Sequence, residues 1–393
     1  MKVGLLFDAD VKNGGSYQMS INNLLAFKKN FEKKNINFYV FTHENHVVLN
    51  QLNIKYDIIK ITLFDYIFIL LKNIYIINCL INKFYLSSYF EKKLLKKNIH
   101  LIIFLFTSYK AFLLRRIKFT STVLDVCHRD FQNFDEVKGK VFFFREYLNK
   151  KVLPLSSLVI TESVELKKKI IKFYKINPDK IISIVNIPSK LICSNNKISS
   201  NMIKKKYNIK SDFYFYPAQF WSHKNHILLL KVAAKLKETK NNVNFVFCGR
   251  DKGTLSFIKK KILDFKIEKN IKILDYVPDN EIFALYSICK ALIMPTYFGP
   301  TNIPPVEAWS INIPVIYSSL HKNHGKNAAI YFNPKSVTQL INAILKLNNK
   351  RIAKKLINNG KKRLKVLISE NIIGHNKYVN NVSKLLQNNN LLI

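Results

Sequence analysis

The 393-residue chain has few residues that interrupt ordered structure and few acidic ones. It holds 10 Gly, 11 Pro and 5 Cys, and only 25 Asp and Glu against 64 Lys and Arg. So little Gly and Pro excludes a collagen-like or low-complexity chain. Hydrophobic residues at 48% and aromatic residues at 13% supply ample core material, which argues against intrinsic disorder. At about 150 residues per domain, the length predicts two or three domains.

The shortage of acidic residues leaves a formal net charge of +39. Lys is spread along the whole chain together with Asn, Ile, Phe and Tyr, which indicates a compositional bias rather than one basic patch. Such a field favours anionic partners, namely nucleic acid, phosphorylated small molecules or an acidic membrane surface. Charge alone does not choose among them.

The five cysteines lie far apart, and no CxxC or Cys/His spacing indicates a zinc site. They are Cys79, Cys127, Cys193, Cys248 and Cys289. Their mostly apolar neighbours predict buried free thiols in a reducing cytoplasm. The stretch MKVGLLFDAD reaches two acidic residues within ten positions, unlike a secretory signal, so we expect a cytoplasmic protein.

Short apolar runs alternate with helical patterns along the chain, which predicts an α/β fold with mostly parallel sheets. In the first half, a helix is predicted at residues 17–31 and strands at 2–8, 37–42, 101–106, 122–126 and 157–161. In the second half, strands are predicted at 213–217, 243–249, 271–274, 291–295 and 315–317. Helices between them are predicted at 228–236, 255–265, 281–287, 305–310 and 337–346.

This pattern predicts two α/β domains of similar size, at residues 1–190 and 202–370. The Ser- and Asn-rich stretch at 189–201 is the predicted linker. A polar helix at 371–393 follows, and it could pack back on the first domain. Ligands of such folds bind outside the carboxyl ends of the strands, so we expect a site in a cleft between the two halves.

Residues 61–86 form an apolar stretch whose charged residues are Asp65, Lys72 and Lys83. We predict two packed core helices here. One alternative is a membrane-surface helix pair whose apolar face enters a bilayer and whose Lys residues meet anionic lipid. The other is a transmembrane span, which needs about 20 predominantly apolar residues and would place Lys72 in hydrocarbon at a cost.

Two loops at predicted strand ends carry residues suited to a phosphorylated ligand. Gly14 and Gly15 precede the first helix, where glycines let a backbone approach a ligand and a helix N-terminus favours an anion. A structural turn explains these glycines about as well. Lys224, in the stretch WSHKNH, could neutralise a phosphate, although one Lys means little in so Lys-rich a chain.

The stretch FGPTNIPPVEA is the most specific one in the sequence. A strand runs into a loop with Gly299, Thr301 and Asn302, and two prolines then open a helix. Backbone N–H groups and the Thr301 hydroxyl could hold a diphosphate. Glu307, predicted in the first helical turn, would either complement the helix dipole or hydrogen-bond to ribose hydroxyls.

His128 closes a strand of the first half, within the sequence DVCHRD. A lone His is more often structural than catalytic. One at the carboxyl end of a strand, flanked by Arg and Asp, is a better candidate than most. In the second half, Gly249 ends the predicted strand 243–249.

Five stretches, in this order and at this spacing, resemble family 4 glycosyltransferases of the GT-B fold, in which two Rossmann-like domains face each other across the active site. They are the Gly14-Gly15 turn, DVCHRDFQNFDEV, REYLNKKVLPLSSLVITES, YPAQFWSHKNH and FGPTNIPPVEA. The resemblance covers nearly the whole chain. It implies retaining transfer of a sugar from a nucleotide diphosphate sugar to an acceptor hydroxyl.

The resemblance also implies roles for individual residues. Lys224 would bind the donor diphosphate, Glu307 would bind the donor ribose, and His128 would contact the transferred sugar as the catalytic residue. Gly15 would approach the diphosphate. The full donor-binding set that it implies is Gly14, Gly15, Gln219, Lys224, Gly249, Gly299, Thr301, Asn302, Ile303 and Glu307.

Two positions depart from the family's pattern. Gln219 stands where the family often has Arg, and Gly299 stands where it has the first of two glutamates. A backbone N–H or Asn302 would then replace the usual sugar-binding carboxylate. A branch of the family carries the same GPTNIPP form, so activity is still expected. Asp8-Ala9-Asp10 has the spelling of a metal site but ends the first strand, so we predict transfer without metal or cofactor, by front-face attack.

In this family the first half binds the acceptor. Its apolar stretch 61–86 and the basic surface favour a lipid-linked saccharide at the inner face of a bacterial membrane, in O-antigen, lipopolysaccharide or capsule assembly. The expected partners are a nucleotide sugar, a saccharide or lipid-linked saccharide and an anionic membrane surface, but no nucleic acid. The alternatives are a basic nucleic-acid-binding protein, a nucleotide-sugar epimerase of the same fold and a catalytically inactive homologue.

Overall fold

The computed structural model describes residues 1–10, 14–72, 74–188, 198–275, 277–299 and 301–387. These residues form two compact units. The first unit comprises Met1–Arg129, Gly139–Val185 and the chain from Asn371 onward, and the second comprises Asp130–Lys138 and Asn186–Glu370. The sequence placed 130–138 in the first domain, whereas this segment packs within the second unit. Most of the predicted linker, residues 189–197, lies outside the described residues.

In the described part of the first unit, seven parallel strands form one sheet in the order β3-β2-β1-β4-β5-β6-β7. They are β1 Lys2–Leu6, β2 Asn37–Thr42, β3 Asp57–Ile58, β4 Leu101–Phe104, β5 Lys118–Val123, β6 Leu158–Thr161 and β7 Ile181–Ser183. The central strands β1 and β4 are apolar and almost wholly buried, as expected for a parallel sheet covered on both faces.

Helices connect these strands. They are α1 Gly15–Glu32, α2 Val47–Gln51, α3 Leu63–Lys72, α4 Tyr75–Lys83, α5 Tyr89–Lys96, α6 Cys127–Asp130, α7 Gly139–Val152 and α8 Val164–Tyr174. Hydroxyl caps fix where two of them begin, because they satisfy backbone donors that a first turn leaves open. The Ser88 hydroxyl accepts from the Glu91 amide at 3.0 Å before α5, and the Ser163 hydroxyl accepts from Leu166 at 3.1 Å before α8.

The described second unit contains one sheet of six parallel strands in the order β10-β9-β8-β11-β12-β13. The strands are β8 Tyr214–Pro217, β9 Phe245–Cys248, β10 Ile271–Leu274, β11 Ala291–Met294, β12 Val315–Ser318 and β13 Ile330–Phe332. Its helices are α9 Ser200–Lys206, α10 His226–Glu238, α11 Leu255–Asp264, α12 Asp279–Ile288, α13 Ile303–Ser310, α14 Lys322–Gly325, α15 Val337–Leu347 and α16 Lys350–Gln387. Helix α16 leaves this unit after Glu370 and continues in the first.

The α/β architecture with two parallel sheets is confirmed, and nine of the ten predicted strands form close to their predicted bounds. Strand β5 begins at Lys118, four residues before the prediction, because buried polar side chains interrupt its apolar pattern. Thr120 hydrogen-bonds to the Tyr378 hydroxyl at 2.6 Å, and the Ser156 hydroxyl donates to Ser121 at 2.9 Å. Of the described cysteines, Cys79 is exposed, contrary to expectation, and the others are buried.

Residues 61–86 form two helices, α3 and α4, but the prediction that they are core helices is wrong. Most of their large apolar side chains face solvent; among them Leu63, Phe64, Leu70, Tyr75, Ile76, Phe84 and Tyr85 are each more than 60% exposed. In the described chain no single helix is long and apolar enough to cross a membrane. Leu63–Lys72 and Tyr75–Ile81 reach that length and composition only together, across a bend of 114°.

Candidate active site

Lys224 lies in a short 3₁₀ turn, Ser222–Lys224, that follows the carboxyl end of β8. Hydrogen bonds fix its backbone on both sides: its carbonyl accepts from the Tyr216 hydroxyl at 2.8 Å, and its amide donates to Trp221 at 3.1 Å. Asn225 follows with φ 58°, and its amide group donates to two loop carbonyls. The turn therefore holds Lys224 at the sheet edge where parallel α/β domains bind ligands.

Glu136 holds the same turn from the segment 130–138. Its carboxylate accepts from the Ser222 hydroxyl at 2.6 Å, from the His223 amide at 3.0 Å and from His223 Nδ1 at 2.6 Å. Burial would raise the pKa of Glu136, but the hydrogen bonds from His223 and Ser222 lower it to about 2. The sequence analysis missed this residue.

The loop between β11 and α13 is shaped by Gly299 and Asn302. Gly299 has φ 116°, and a Cβ there would lie 2.7 Å from the Asn302 side-chain oxygen, so glycine is required. The Asn302 amide group donates to the Gly299 carbonyl at 3.1 Å and to the Tyr317 hydroxyl at 2.8 Å. Thr301 Oγ1 accepts from Asn186 at 3.0 Å. Both Asn302 amide protons are thus engaged, one within the loop and one on Tyr317 of β12, which leaves backbone groups to meet a ligand. Pro300 lies outside the described residues.

Glu307 is buried in α13 and accepts a hydrogen bond from the Tyr286 hydroxyl at 2.9 Å. Helix α13 begins at Ile303, two residues before its predicted start, because Asn302 is the cap and the two prolines occupy the first turn. Glu307 therefore lies in the second turn, and its predicted first-turn position is wrong. A role in complementing the helix dipole is correspondingly weaker, since that effect falls off within the first turn.

Two buried histidines pack behind this loop. His321 Nε2 lies 3.2 Å from the Thr296 carbonyl oxygen, and His324 Nδ1 lies 3.4 Å from the Tyr317 hydroxyl. Burial lowers the pKa of His321 to about 4 and that of His324 to about 3, so both rings are neutral at pH 7. They pack there as uncharged side chains, and no motif in the sequence connects them with the loop.

Gln219 and Gly249 lie at neighbouring strand ends in the second unit. Gln219 Oε1 accepts from the Trp221 indole N–H at 3.1 Å. A Cβ on Gly249 would lie 2.4 Å from the Ala218 carbonyl oxygen. Gly249 is therefore required by the close approach of two backbones, whatever else it binds.

In the first unit, Gly14 has φ 59° and immediately precedes α1. Its carbonyl accepts from the amides of Tyr17 and Gln18 at 3.0 and 3.1 Å. The predicted turn thus leads into the helix, which begins at Gly15, two residues before its predicted start. Residues 11–13 of the same loop lie outside the described residues.

His128 is fully buried in α6, directly after β5. Its Nε2 lies 2.9 Å from Glu146 Oε1, which also accepts from the Tyr174 hydroxyl and from Arg129. Burial and the Arg145 charge lower the pKa of His128, against the opposing pull of Glu146. His128 Nδ1 is buried and has no hydrogen-bond partner among the described residues.

A cavity of about 650 Å³ opens at the carboxyl ends of β1, β2 and β4. The Lys110 ammonium contacts Asp8 at 2.6 Å on its wall, and His43 Nδ1 lies 3.4 Å from the same carboxylate. Tyr66 and Tyr109 stack with ring centroids 6.4 Å apart. The cavity thus combines charged groups with aromatic faces, and the sequence analysis did not find it.

Asp8 is the first residue of the Asp-x-Asp motif, for which a structural role is predicted from the sequence. Its carboxylate is paired with Lys110 and His43. Across the described ranges, no group of three or more His, Cys, Asp or Glu side chains is arranged to hold a metal ion.

Comparison with known proteins finds a family match within the second unit. Residues 199–363 match the family model for "Glycosyl transferases group 1". This part of the chain is therefore similar to group 1 glycosyl transferases. It contains Lys224, the Gly299–Asn302 loop and Glu307, whereas His128 and the Gly14-Gly15 turn lie outside the match.

One relative of this chain is the "O-antigen chain mannosyltransferase RfbU" of Salmonella typhimurium, with 30% identity over 242 residues. The match covers 58% of this chain and 64% of that relative, so it spans less than two thirds of the relative's length.

Solved structures show the fold of the whole chain. A glycosyltransferase from Rickettsia africae matches 100% of this chain and 98% of its own at 16% identity, with a TM-score of 0.67. Anabaena HepE, solved with UDP-glucose, matches 98% of this chain and 99% of its own at 14% identity, with a TM-score of 0.70. WaaG, a glycosyltransferase involved in lipopolysaccharide biosynthesis, matches 96% and 98% at 13% identity, with a TM-score of 0.65. These likenesses establish the GT-B fold that the sequence predicted.

Proposed function

We propose that the protein is a retaining hexosyltransferase that moves a sugar from a nucleotide diphosphate sugar to a saccharide acceptor in bacterial surface polysaccharide biosynthesis. The observation that carries the proposal is the position of Lys224 and the Gly299–Asn302 loop after the carboxyl ends of the neighbouring strands β8 and β11, with Glu307 in the helix that follows, all within the part of the chain that matches group 1 glycosyl transferases. The O-antigen mannosyltransferase relative supports a hexosyl donor and a polysaccharide product.

In the proposed reaction, the bond between the sugar's anomeric carbon and the donor phosphate oxygen breaks, and an acceptor hydroxyl oxygen bonds to that carbon on the same face. The electron pair stays with the diphosphate, and the acceptor's proton passes to a phosphate oxygen. Negative charge grows on the diphosphate as the bond breaks. Lys224 and the N-terminus of α13 would stabilise that charge without reorganising.

The buried His128 Nδ1 supports a role for this residue at the transferred sugar. A buried polar atom without a partner calls for one, and a sugar hydroxyl would supply it. Glu146 on Nε2 fixes the orientation of the ring.

We expect no metal requirement, so activity in excess EDTA should equal activity in Mg²⁺.

For the acceptor, we propose a lipid-linked saccharide. The 650 Å³ cavity of the first unit offers the Asp8–Lys110 pair for hydroxyl or phosphate groups and Tyr66 for a sugar face. Tyr66 belongs to α3, whose outward side chains form part of the exposed apolar surface of residues 63–86. A saccharide in the cavity would therefore have its lipid beside an apolar face.

We further propose that this exposed surface rests on the inner face of the cytoplasmic membrane. Contiguous apolar exposure on this scale is rare in proteins that meet only water. Cations accompany its aromatic rings: Lys83 lies 5.9 Å from the Phe84 centroid, and Arg115 lies 4.6 Å from that of Tyr85. Anionic headgroups complement this pairing of aromatic and basic side chains.

The test is a transfer assay with UDP-, GDP-, ADP- and CDP-linked hexoses and membrane-extracted lipid-linked saccharides. Release of nucleoside diphosphate with incorporation of sugar supports the proposal, and NMR of the product decides whether the anomeric configuration is retained. No incorporation with any donor, together with salt-sensitive binding to single-stranded RNA, would favour the nucleic-acid alternative.

A further inference from the structure

The segment 130–138 belongs to the second unit, although the residues on either side of it belong to the first. Its aromatic residues pack on the loop that follows β11. The Phe131 ring lies 5.4 Å from that of Phe298, and the Phe134 ring lies 5.2 Å from that of Tyr297, centroid to centroid. Val137 is buried as well. These contacts hold Glu136 against the turn that carries Lys224.

The Glu136 carboxylate accepts three hydrogen bonds from this turn. Its oxygens take the Ser222 hydroxyl, the His223 amide and His223 Nδ1, all within 3.0 Å. The His223 ring is also fixed by stacking on Phe298 at 3.8 Å. The His223 carbonyl accepts from the Tyr297 amide at 3.0 Å, which pins the opposite side of the turn.

We propose that Glu136 is a positioning residue for the donor diphosphate. By holding Ser222 and His223, it fixes the turn so that the next residue, Lys224, presents its ammonium at one position. The inference rests on the proposed function, because it takes Lys224 to be the diphosphate ligand. A preorganised cation binds more tightly than one that must be ordered on binding.

The variants separate positioning from general stability. Glu136→Ala removes all three hydrogen bonds. Glu136→Gln keeps one oxygen for His223, and its amide can donate to the Ser222 hydroxyl, so it should preserve the turn. Ser222→Ala removes one donor and leaves the carboxylate. Glu268→Ala, an exposed carboxylate of the same unit, is the matched control.

Each protein is titrated with UDP, GDP, ADP and CDP, and its thermal unfolding is measured alone. For the diphosphate that binds the wild type, Glu136→Ala should raise Kd about tenfold, the scale of a charge-assisted hydrogen bond. Glu136→Gln and Ser222→Ala should raise it about threefold or less. Glu268→Ala should match the wild type.

A double-mutant cycle shows whether Glu136 and Lys224 act together on binding, a result that destabilisation alone would not produce. If Glu136 acts through Lys224, Glu136→Ala in a Lys224→Ala background should weaken binding no further. Additive effects, or wild-type affinity in Glu136→Ala, would overturn the inference. If Glu136→Ala does not fold, the cycle is run under the same criteria with Glu136→Asp, whose carboxylate is one methylene too short to keep the hydrogen bonds to Ser222 and His223. A wild type that binds none of the four diphosphates would instead overturn the proposed function.

Discussion

The Tyr286 hydroxyl donates a hydrogen bond to Glu307 at 2.9 Å, joining α12 to α13 inside the second unit. Burial and the Glu307 charge raise the pKa of Tyr286 well above its usual value, so the phenol stays protonated and remains a donor. Because this hydroxyl always donates, it keeps the buried Glu307 carboxylate in one orientation. Such a group is suited to accept hydrogen bonds from a pair of vicinal hydroxyls.

We therefore predict that Glu307 accepts hydrogen bonds from the hydroxyls of the donor ribose. The wild type should bind a nucleoside diphosphate at least about tenfold more tightly than its 2′,3′-dideoxy counterpart, because hydrogen bonds to a charged group are worth about 1.5–3 kcal/mol. Glu307→Gln should lose most of this preference, and Tyr286→Phe part of it. Calorimetric titration measures both ligands, with Glu268→Gln as the control. Equal preference in wild type and Glu307→Gln would exclude ribose contact.

Stability should fall as the pH drops below about 6.5, the usual pKa of His. Burial lowers the pKa of His226 and His324 to about 3 and of His321 and His375 to about 4. A folded pKa below the unfolded one means that the unfolded chain binds more protons, so acid favours unfolding. Each of these four histidines should lower the free energy of unfolding by up to about 2 kcal/mol at pH 5.0 relative to pH 7.5.

Urea unfolding at these two pH values checks this prediction. His226→Phe is the informative variant, because His226 already stacks on Phe220 at 4.5 Å and Phe can occupy the same space. The difference in unfolding free energy between the two pH values should be about 2 kcal/mol smaller in His226→Phe than in the wild type. An unfolding free energy that is the same at both pH values would show that these rings are protonated in the folded protein.

The sequence predicted the central strands and one edge strand, β10, but not the other three edge strands. Apolar runs identify strands that are buried on both faces, such as β4 and β11. The missed strands β3, β7 and β13 have two or three residues each, too short for a periodic pattern. They form because neighbouring strands offer them a sheet edge, which is a property of the fold and not of the local sequence.

The candidate site likewise contains residues that local motifs reveal and residues that only the fold brings together. Lys224, Gly299 and Glu307 lie in local motifs and could be found from the sequence. Glu136 is 86 residues from Ser222, and only the packing of the chain brings them together. Composition also could not tell whether the apolar residues 61–86 face the interior or the solvent, since a core helix and a membrane-surface helix have similar residues.

Replacing exposed apolar side chains of α3 and α4 should weaken membrane binding without changing the fold. Phe64 is 76% and Tyr75 is 81% exposed, so the double variant Phe64→Ser, Tyr75→Ser removes little packing. Its co-sedimentation with phosphatidylglycerol-containing vesicles should fall at least about tenfold, because each lost aromatic insertion costs about 1.5–3 kcal/mol. Phe257→Ser, at an exposed position of the second unit, is the control.

High salt should also reduce wild-type co-sedimentation, since it screens the attraction between Lys residues and anionic lipid. Vesicles of neutral lipid should bind less protein at every salt concentration. If the wild type co-sediments with neither vesicle type at any salt concentration, the proposed membrane surface is wrong.

Lys224 and its turn are proposed to bind the diphosphate of a nucleotide sugar. Calorimetric titration of wild type, Lys224→Ala and the exposed control Lys259→Ala with UDP, GDP, ADP and CDP tests this binding. One diphosphate should bind the wild type and Lys259→Ala alike, and Lys224→Ala should bind it at least about tenfold more weakly, because a charge-assisted contact to phosphate is lost. Equal affinity in Lys224→Ala and the wild type would contradict the account.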